Sequence, residues 1–126
     1  MLETASLVAF VPSTDLDRSQ EFYAGTLGLV LVETTPFACV LRSGPTMLRV
    51  TRVGDLRPQP FTVLGWEVSD LRETLAGLVA RDVPVLRFPD LGQDDQGVWT
   101  TPGGDLVAWF TDPDGNTLSL MQFTRS

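Results

Sequence analysis

Two stretches of nearly the same composition stand 55 positions apart, and they constrain the fold of this chain most strongly. Thr14-Asp15-Leu16 and Ser69-Asp70-Leu71 each place a hydroxyl residue and an aspartate before an apolar position, which is typical of a helix start. An apolar run precedes each stretch, and short apolar or β-branched runs divided by turn residues follow it. These patterns predict an internal duplication with the element order β-α-β-β-β in each half.

The two halves meet at a segment rich in proline and glycine. We predict a single domain over residues 1–126, made of module 1 (1–53), a linker (54–60) and module 2 (61–126). One helix covers only one face of a sheet, so neither module is expected to bury its sheet alone. The predicted fold class is α+β, with two paired βαβββ modules that form curved mixed sheets around a cavity.

The strand and helix ranges follow from hydrophobic periodicity and turn residues. The first helix follows Asp15 and extends to about Ala24, and the second follows Asp70 with an apolar stripe on one face. The predicted strands cover residues 6–11, 29–33, 37–41, 47–53, 61–68, 83–88, 97–101, 106–111 and 117–123.

The ionisable side chains exclude several kinds of chemistry. The chain has no His, and all nine of its basic residues are Arg, so it has neither an imidazole base nor a lysine for Schiff-base formation. Cys39 is the only cysteine, which excludes an internal disulfide and a cysteine-rich zinc site. A net charge of -7 without a basic patch argues against nucleic acid or an anionic membrane surface as a partner.

The chain shows no sign of membrane insertion or export. No apolar run approaches the ~20 residues that a membrane span needs, and the start Met1-Leu2-Glu3-Thr4 lacks the basic residues of a signal peptide. We therefore expect a soluble, cytoplasmic protein whose partner is a small molecule.

Three motifs give the chain a family resemblance. They are Val11-Pro12-Ser13-Thr14-Asp15-Leu16 with Phe22-Tyr23 and Leu27-Gly28, then Trp66-Glu67-Val68-Ser69-Asp70-Leu71, and Asp112-Pro113-Asp114-Gly115-Asn116 with Leu118-Ser119-Leu120. Together with the paired β-α-β-β-β order, the chain resembles the vicinal oxygen chelate superfamily, which includes glyoxalase I, the bleomycin-resistance proteins and the extradiol dioxygenases. The resemblance implies a small-molecule site between curved sheets.

In the metal-using members of that superfamily, His, Glu or Gln at four inner-face positions hold a divalent ion. By motif, these positions fall on Val8, Val63, Ser119 and Arg49 in this chain. Valine has no donor atom, a neutral serine hydroxyl is a poor ligand, and a guanidinium group repels the ion. We expect no metal and no other cofactor, which argues against the metal-dependent glyoxalase, epimerase, dioxygenase and fosfomycin-resistance activities.

Alternation along the strands extends the inner face from those four positions, and the resemblance implies a cavity-facing position at Trp109, whose face Val107 shares. It predicts an apolar, aromatic cup that contains one cation and one carboxylate. The cup residues are Val8, Phe10, Met47, Arg49, Val63, Gly65, Glu67, Val107, Trp109, Ser119 and Met121. An arginine in such a cup is suited to a carboxylate or another anion.

Two features of the cup depend on loops. If Gly103-Gly104 is the tip of a hairpin, Thr100 pairs with Val107 and Trp99 lies on the helix side, whereas another loop length changes this arrangement. The loop that contains Asp94 and Asp95 is expected to be mobile and able to act as a lid over the cup.

The leading interpretation is a metal-free protein similar to the bleomycin-resistance proteins, which sequesters a hydrophobic or aromatic, antibiotic-like ligand. By the same resemblance we expect a symmetric homodimer. An alternative is a metal-free isomerase or lyase that uses Glu67 as its base and Arg49 as an anion anchor. A third interpretation is a non-catalytic sensing or scaffold domain whose cavity is filled by side chains.

Overall fold

The computed structural model describes residues 1–124. The chain splits into two compact units, Met1–Arg57 and Pro58–Ser126. Each unit carries one four-stranded mixed sheet and one helical segment. The predicted α+β class with two βαβββ modules is therefore confirmed.

The first unit builds its sheet from four strands around a short helix. Its strands are β1 (Val8–Ser13), β2 (Val30–Thr34), β3 (Ala38–Ser43) and β4 (Thr46–Arg52). Helix α1 (Leu16–Gln20) continues directly into a π-helical segment, Glu21–Thr26. The strand order is β1-β4-β3-β2, with β1 parallel to β4 and the other neighbours antiparallel.

The second unit repeats this topology. Its strands are β5 (Leu64–Glu67), β6 (Trp99–Thr100), β7 (Leu106–Thr111) and β8 (Thr117–Gln122), and its helix is α2 (Leu71–Ala80). The strand order is β5-β8-β7-β6, and β5 is again parallel to the last strand. Each sheet therefore places its first strand beside its fourth, as expected of a duplication.

The two helix starts share the same capping geometry. Asp15 (φ -147°, ψ 99°) and Asp70 (φ -136°, ψ 90°) are the N-cap residues in extended backbone. Each carboxylate accepts a hydrogen bond of 3.1 Å from the backbone N–H three residues later, at Arg18 and Glu73 respectively. These bonds satisfy an otherwise unpaired helix N–H and fix where each helix begins.

Each helix packs against one face of its own sheet, and the core of each unit lies between that helix and that sheet. In the first unit the π-helical Tyr23 is fully buried, and its ring meets Phe22 edge-on at 5.0 Å. In the second unit Leu71 and Leu75 of α2 are buried, and the rings of Trp66 and Phe110 stack at 6.2 Å. The side chains on the opposite face of each sheet are the ones predicted to line the cup.

Several predicted strands have different limits in the structure, and the strand predicted over 97–101 is reduced to β6. Pro12 does not end β1, because β1 is an edge strand of its sheet and proline is tolerated at an edge. The strand predicted over 61–68 is reduced to β5. The segment 83–88 is not a strand: only Val85 forms a bridge, with Phe110, because Pro84 has no N–H to extend a ladder.

The most specific sequence motif, the turn between β7 and β8, has a structural role. The buried Asp112 carboxylate accepts hydrogen bonds from the N–H groups of Asp114 (3.0 Å) and Asn116 (2.9 Å), and from the Asn116 side-chain amide (2.8 Å). Gly115 adopts a φ of 86°, which favours glycine. The turn therefore sets the β7–β8 register.

Between residues 1 and 124, no helix has the length and apolar character that crossing a bilayer requires.

Candidate functional site

In the second unit, strand pairing places three predicted site residues in one row. Ser119 on β8 lies between Gly65 on β5 and Trp109 on β7. The neighbouring row on the same face contains Glu67, Met121 and Val107. Sheet register therefore brings together six of the residues predicted for the cup, all on the face opposite α2.

Ser119 occupies the space left by the missing side chain of Gly65. A Cβ atom at position 65 would stand 2.6 Å from the Ser119 Oγ. Ser119 is only 6% exposed, and its hydroxyl makes no hydrogen bond with any residue from 1 to 124. No buried side-chain oxygen of residues 1–124 lacks a hydrogen-bond partner, so the Ser119 Oγ keeps some contact with solvent and can form a hydrogen bond with a bound molecule.

Trp99 lies on this face as well, contrary to the register that a Gly103-Gly104 tip predicts. The structure pairs Trp99 with Val107 and Thr100 with Leu106. Thr101 N–H donates to the Asp105 carbonyl (2.8 Å), so the loop has three residues and β6 shifts by one position. The Trp99 ring consequently stacks with the Trp109 ring at 6.3 Å.

An aromatic groove of about 340 Å³ begins at the Trp109 ring. The Trp109 indole N–H donates to the Thr62 hydroxyl (3.1 Å), and the Phe88 ring meets the indole edge-on at 5.1 Å. The groove is lined by Pro60, Phe61, Thr62, Phe88, Pro89, Asp90, Leu91 and Trp109. Of these groove residues, the sequence analysis predicted only Trp109 as a site residue. Phe88, an aromatic residue before a polar loop, could also have been recognised as a candidate.

The wall of the groove belongs to a loop that side-chain hydrogen bonds hold in place. The Gln93 side chain accepts from the Phe88 N–H (2.7 Å) and donates to the carbonyls of Leu86 (2.9 Å) and Gly97 (2.8 Å). Arg87 donates to the backbone carbonyl of Asp94 (2.8 Å). The loop that the sequence predicted as a mobile lid is therefore held by hydrogen bonds and forms one wall of the groove.

An ion pair also ties this loop to α2. The Arg72 guanidinium lies 2.9 Å from the Asp94 carboxylate and contacts the Gln96 side chain as well. The hydrogen bond from the Val98 N–H holds the pKa of the Asp94 carboxyl below its ordinary value, and Arg72 adds to this effect. The anionic form of Asp94 thus stabilises the loop.

In the first unit, the predicted site residues lie on the sheet face opposite α1. Val8 pairs with Met47, and Phe10 pairs with Arg49. The Phe10 side chain is 62% exposed, whereas Arg49 is half-buried. The face is therefore apolar and accessible around Phe10, and the guanidinium group of Arg49 is partly covered.

Val63 and Glu67 lie at the two ends of β5. Val63 precedes the strand and donates its N–H to the Thr117 carbonyl (2.9 Å). Glu67 ends the strand, is exposed, and lines a separate cleft of about 500 Å³ beside the start of α2. Neither side chain is enclosed by the aromatic groove.

The positions where the family resemblance implies metal ligands carry unsuitable side chains. In the first unit they are Val8 and Arg49, and in the second unit they are Val63 and Ser119, so the four provide one neutral hydroxyl and no carboxylate, amide or imidazole. The part of the chain from 1 to 124 has no group of three or more His, Cys, Asp or Glu that could hold a metal ion. These residues do not fit a divalent ion.

Comparison with known proteins decides the family. The model of the Glyoxalase/Bleomycin resistance protein/Dioxygenase superfamily matches residues 6–120. The chain belongs to this superfamily. No curated protein sequence matches it.

Solved structures share the superfamily fold over almost the whole chain. Lactoylglutathione lyase from Agrobacterium tumefaciens is 20% identical, with 94% of this chain and 93% of that chain covered and a TM-score of 0.74. A glyoxalase/bleomycin resistance protein/dioxygenase from Alicyclobacillus acidocaldarius is 19% identical, with 97% and 93% covered and a TM-score of 0.72. TnmS3, an antibiotic binding protein from Streptomyces sp. CB03234, is 25% identical, with 98% and 99% covered and a TM-score of 0.73.

Proposed function

We propose that this superfamily member binds a hydrophobic or aromatic small molecule without a metal ion and sequesters it without converting it. The observation that carries the proposal is the pairing of two groups on one sheet face. Most of the Ser119 residue is buried, but its hydroxyl keeps contact with solvent and has no hydrogen-bond partner among residues 1–124, and beside it Trp109 opens onto an aromatic groove.

The dimensions and chemistry of the groove favour a planar ligand. Its volume of about 340 Å³ is within the range of small-molecule pockets. An aromatic ring of the ligand packs against the Trp109 indole, while the Phe88 edge restricts its orientation. The Ser119 hydroxyl supplies one directional hydrogen bond on the adjoining surface.

One protein of this fold with a solved structure supports small-molecule binding as part of the proposal. TnmS3 is described as an antibiotic binding protein and covers nearly the full length of this chain. An antibiotic-like aromatic ligand and membership of a metal-free, bleomycin-resistance-like branch are therefore parts of our proposal.

The isomerase or lyase alternative has weaker support because it needs Glu67 as its base. A carboxylate that takes up a proton near neutral pH usually requires burial to raise its pKa. Glu67 is exposed at the end of β5 and lies in the cleft beside α2, not in the aromatic groove.

We also propose that the protein forms a homodimer in which a second copy covers the edge strand β2. Val30, Leu31 and Val32 are all exposed on this strand, and unprotected apolar edge strands invite pairing. Val32→Lys is expected to convert the dimer to a monomer in multi-angle light scattering, with Val79→Lys, an exposed site on α2, as the control. A wild-type protein that is monomeric at the highest concentration measured contradicts this proposal.

The binding proposal is tested with naphthol, a neutral aromatic probe. We expect naphthol to quench tryptophan fluorescence, to raise the melting temperature, and to be recovered unchanged after incubation. Trp109→Leu removes the packing surface and is expected to weaken binding about five- to tenfold. Phe37→Leu, which alters an exposed aromatic residue of the first unit, serves as the control.

Two results would overturn the proposal. Equal naphthol affinity in the wild type and Trp109→Leu would show that the groove is not the site. Stoichiometric nickel or zinc binding by chelator-treated protein would show that the chain holds a metal despite its side chains.

A further inference from the structure

Two arginines share the sheet face of the first unit that lies opposite α1. Arg49 on β4 pairs with Val40, and Arg42 on β3 pairs with Met47, so the two arginines are diagonal neighbours across an antiparallel pair. Diagonal residues are about 7–8 Å apart, which long side chains can span. The two guanidinium groups can therefore reach the same bound group.

These two arginines differ from the others in having no partner. Within residues 1–124, neither the Arg42 nor the Arg49 side chain makes a hydrogen bond, ion pair or ring contact, whereas the other arginines in that range each have a further interaction. Glu33 pairs with Val40 on β2, yet it forms no ion pair with either arginine. Because Arg42 is exposed and Glu33 lies on the same face without contacting either guanidinium group, both groups keep donors available to an anion.

The surroundings of the pair are apolar. Phe10 pairs with Arg49 across β1 and β4, Val8 lies beside Met47, and Val40 is buried. Arg49 is half-buried in this setting, where a charge-assisted hydrogen bond is stronger than in open water. An anion bound here would also place any attached apolar body against Phe10 and Val8.

The two units of the protein differ in net charge. Residues 1–57 contain six acidic residues and five arginines, whereas residues 58–126 contain ten acidic residues and four arginines. The net charge of -7 therefore arises almost entirely from the second unit. The first unit is close to neutral and does not repel an anion strongly.

We propose that Arg42 and Arg49 form a binding site for an organic anion, in which a carboxylate or sulfonate attached to an apolar ring accepts hydrogen bonds from both guanidinium groups. Planar guanidinium groups match the geometry of such oxyanions. The site lies within the first unit, so it does not depend on the aromatic groove proposed above.

The test compares three probes of similar ring size by calorimetric titration at low and high salt. They are naphthalenesulfonate (anionic), naphthol (neutral near neutral pH) and N-methylquinolinium (cationic). We expect naphthalenesulfonate to bind more tightly than the other two in an arginine-dependent manner, with affinity that falls as salt rises. Inorganic phosphate is expected to bind more weakly because it lacks the apolar body.

The variants separate the pair from general charge effects. Arg42→Gln and Arg49→Gln are each expected to weaken naphthalenesulfonate binding about fivefold, and the double variant to abolish the salt dependence. Arg42→Lys keeps the charge without the planar fork and should restore part of the affinity. Arg52→Gln is the control, since Arg52 is on the same strand but on the opposite face and donates to the Pro36 carbonyl.

The outcomes distinguish this inference from the proposed function. Arginine-dependent binding of the sulfonate supports the anion site even if Trp109→Leu leaves naphthol binding unchanged. The anion site is overturned if naphthalenesulfonate binds the double variant and Arg52→Gln with the same affinity. It is also overturned if the cationic probe binds this face more tightly than the sulfonate. Both results hold whether or not naphthol binds at Trp109.

Discussion

Replacing Gln93 with methionine tests whether the groove wall is held by a single side chain. Methionine has a similar length and flexibility but no amide, so Gln93→Met removes the bonds to Phe88, Leu86 and Gly97 with little change in volume. A neutral hydrogen bond contributes about 1 kcal/mol net. Because all three bonds are only part-buried and water can replace some of them, we expect a loss of about 2 kcal/mol.

This loss should appear as local opening of the loop and not as global unfolding. A change of about 2 kcal/mol corresponds to about thirtyfold faster exchange of the Phe88 amide hydrogen, since each 1.4 kcal/mol is a factor of ten. Hydrogen exchange followed by NMR measures it directly. The amides of Leu48 and Val50 on β4 should be unchanged, and naphthol affinity should fall because Phe88 no longer restricts the ring.

Gln96→Met is the matched control, because Gln96 is in the same loop but its side chain contacts only the exposed Arg72. If the Phe88 amide exchanges at the same rate in Gln93→Met and Gln96→Met, the Gln93 bridge does not hold the wall. If the β4 amides accelerate equally, the variant destabilises the whole protein and the reasoning about a local element fails.

Three further changes test other parts of the structure. Gly65→Ala forces the Ser119 hydroxyl to move away from the new Cβ. We expect about 1 kcal/mol lower stability in urea unfolding and weaker binding of naphthol. An unchanged naphthol affinity would show that Ser119 is not part of the site. Asp112→Ala removes the acceptor of three hydrogen bonds in a buried turn and should cost about 3 kcal/mol in the same assay, whereas Asp90→Asn, at an exposed left-handed position, should be nearly neutral. The pKa of Asp94 is lowered in the folded state, so the stabilising effect of its carboxylate is complete above the unfolded-state pKa and is lost as pH falls through the folded-state pKa. The NMR shift of the Val98 amide should therefore titrate below pH 3.8. Titration above that pH would contradict a stabilising role for the Asp94 carboxylate.

Local features of the sequence predicted a large part of the fold. The repeat of N-cap residues predicted two helix starts, and the structure has Asp15 and Asp70 in the same capping geometry. The family resemblance implied that Trp109 and Ser119 share one face, alternation added Val107 and Met121, and the strand pairing has Trp109 and Ser119 side by side. Such inferences succeed because capping and alternation depend on residues only a few positions apart.

The groove could not be predicted in the same way. Phe61, Phe88 and Trp109 come from three separate segments, and no pattern along the chain indicates that they meet. Trp99 faces the groove side of its sheet because the loop between Thr101 and Asp105 has three residues. The sequence alone is compatible with more than one loop length. A shift of one residue moves a strand's side chains to the other face, so register is decided by the loop as it closes.

The sequence by itself determined the duplicated βαβββ order, the two capped helices and the turn at Asp112. Only the tertiary structure decided that Ser119 keeps an unpaired hydroxyl, that Gln93 fastens the groove wall, and that Arg42 and Arg49 have no partner among the described residues. The reason is physical: whether a polar group is satisfied depends on which atoms lie within about 3 Å of it, and those atoms belong to residues far away along the chain.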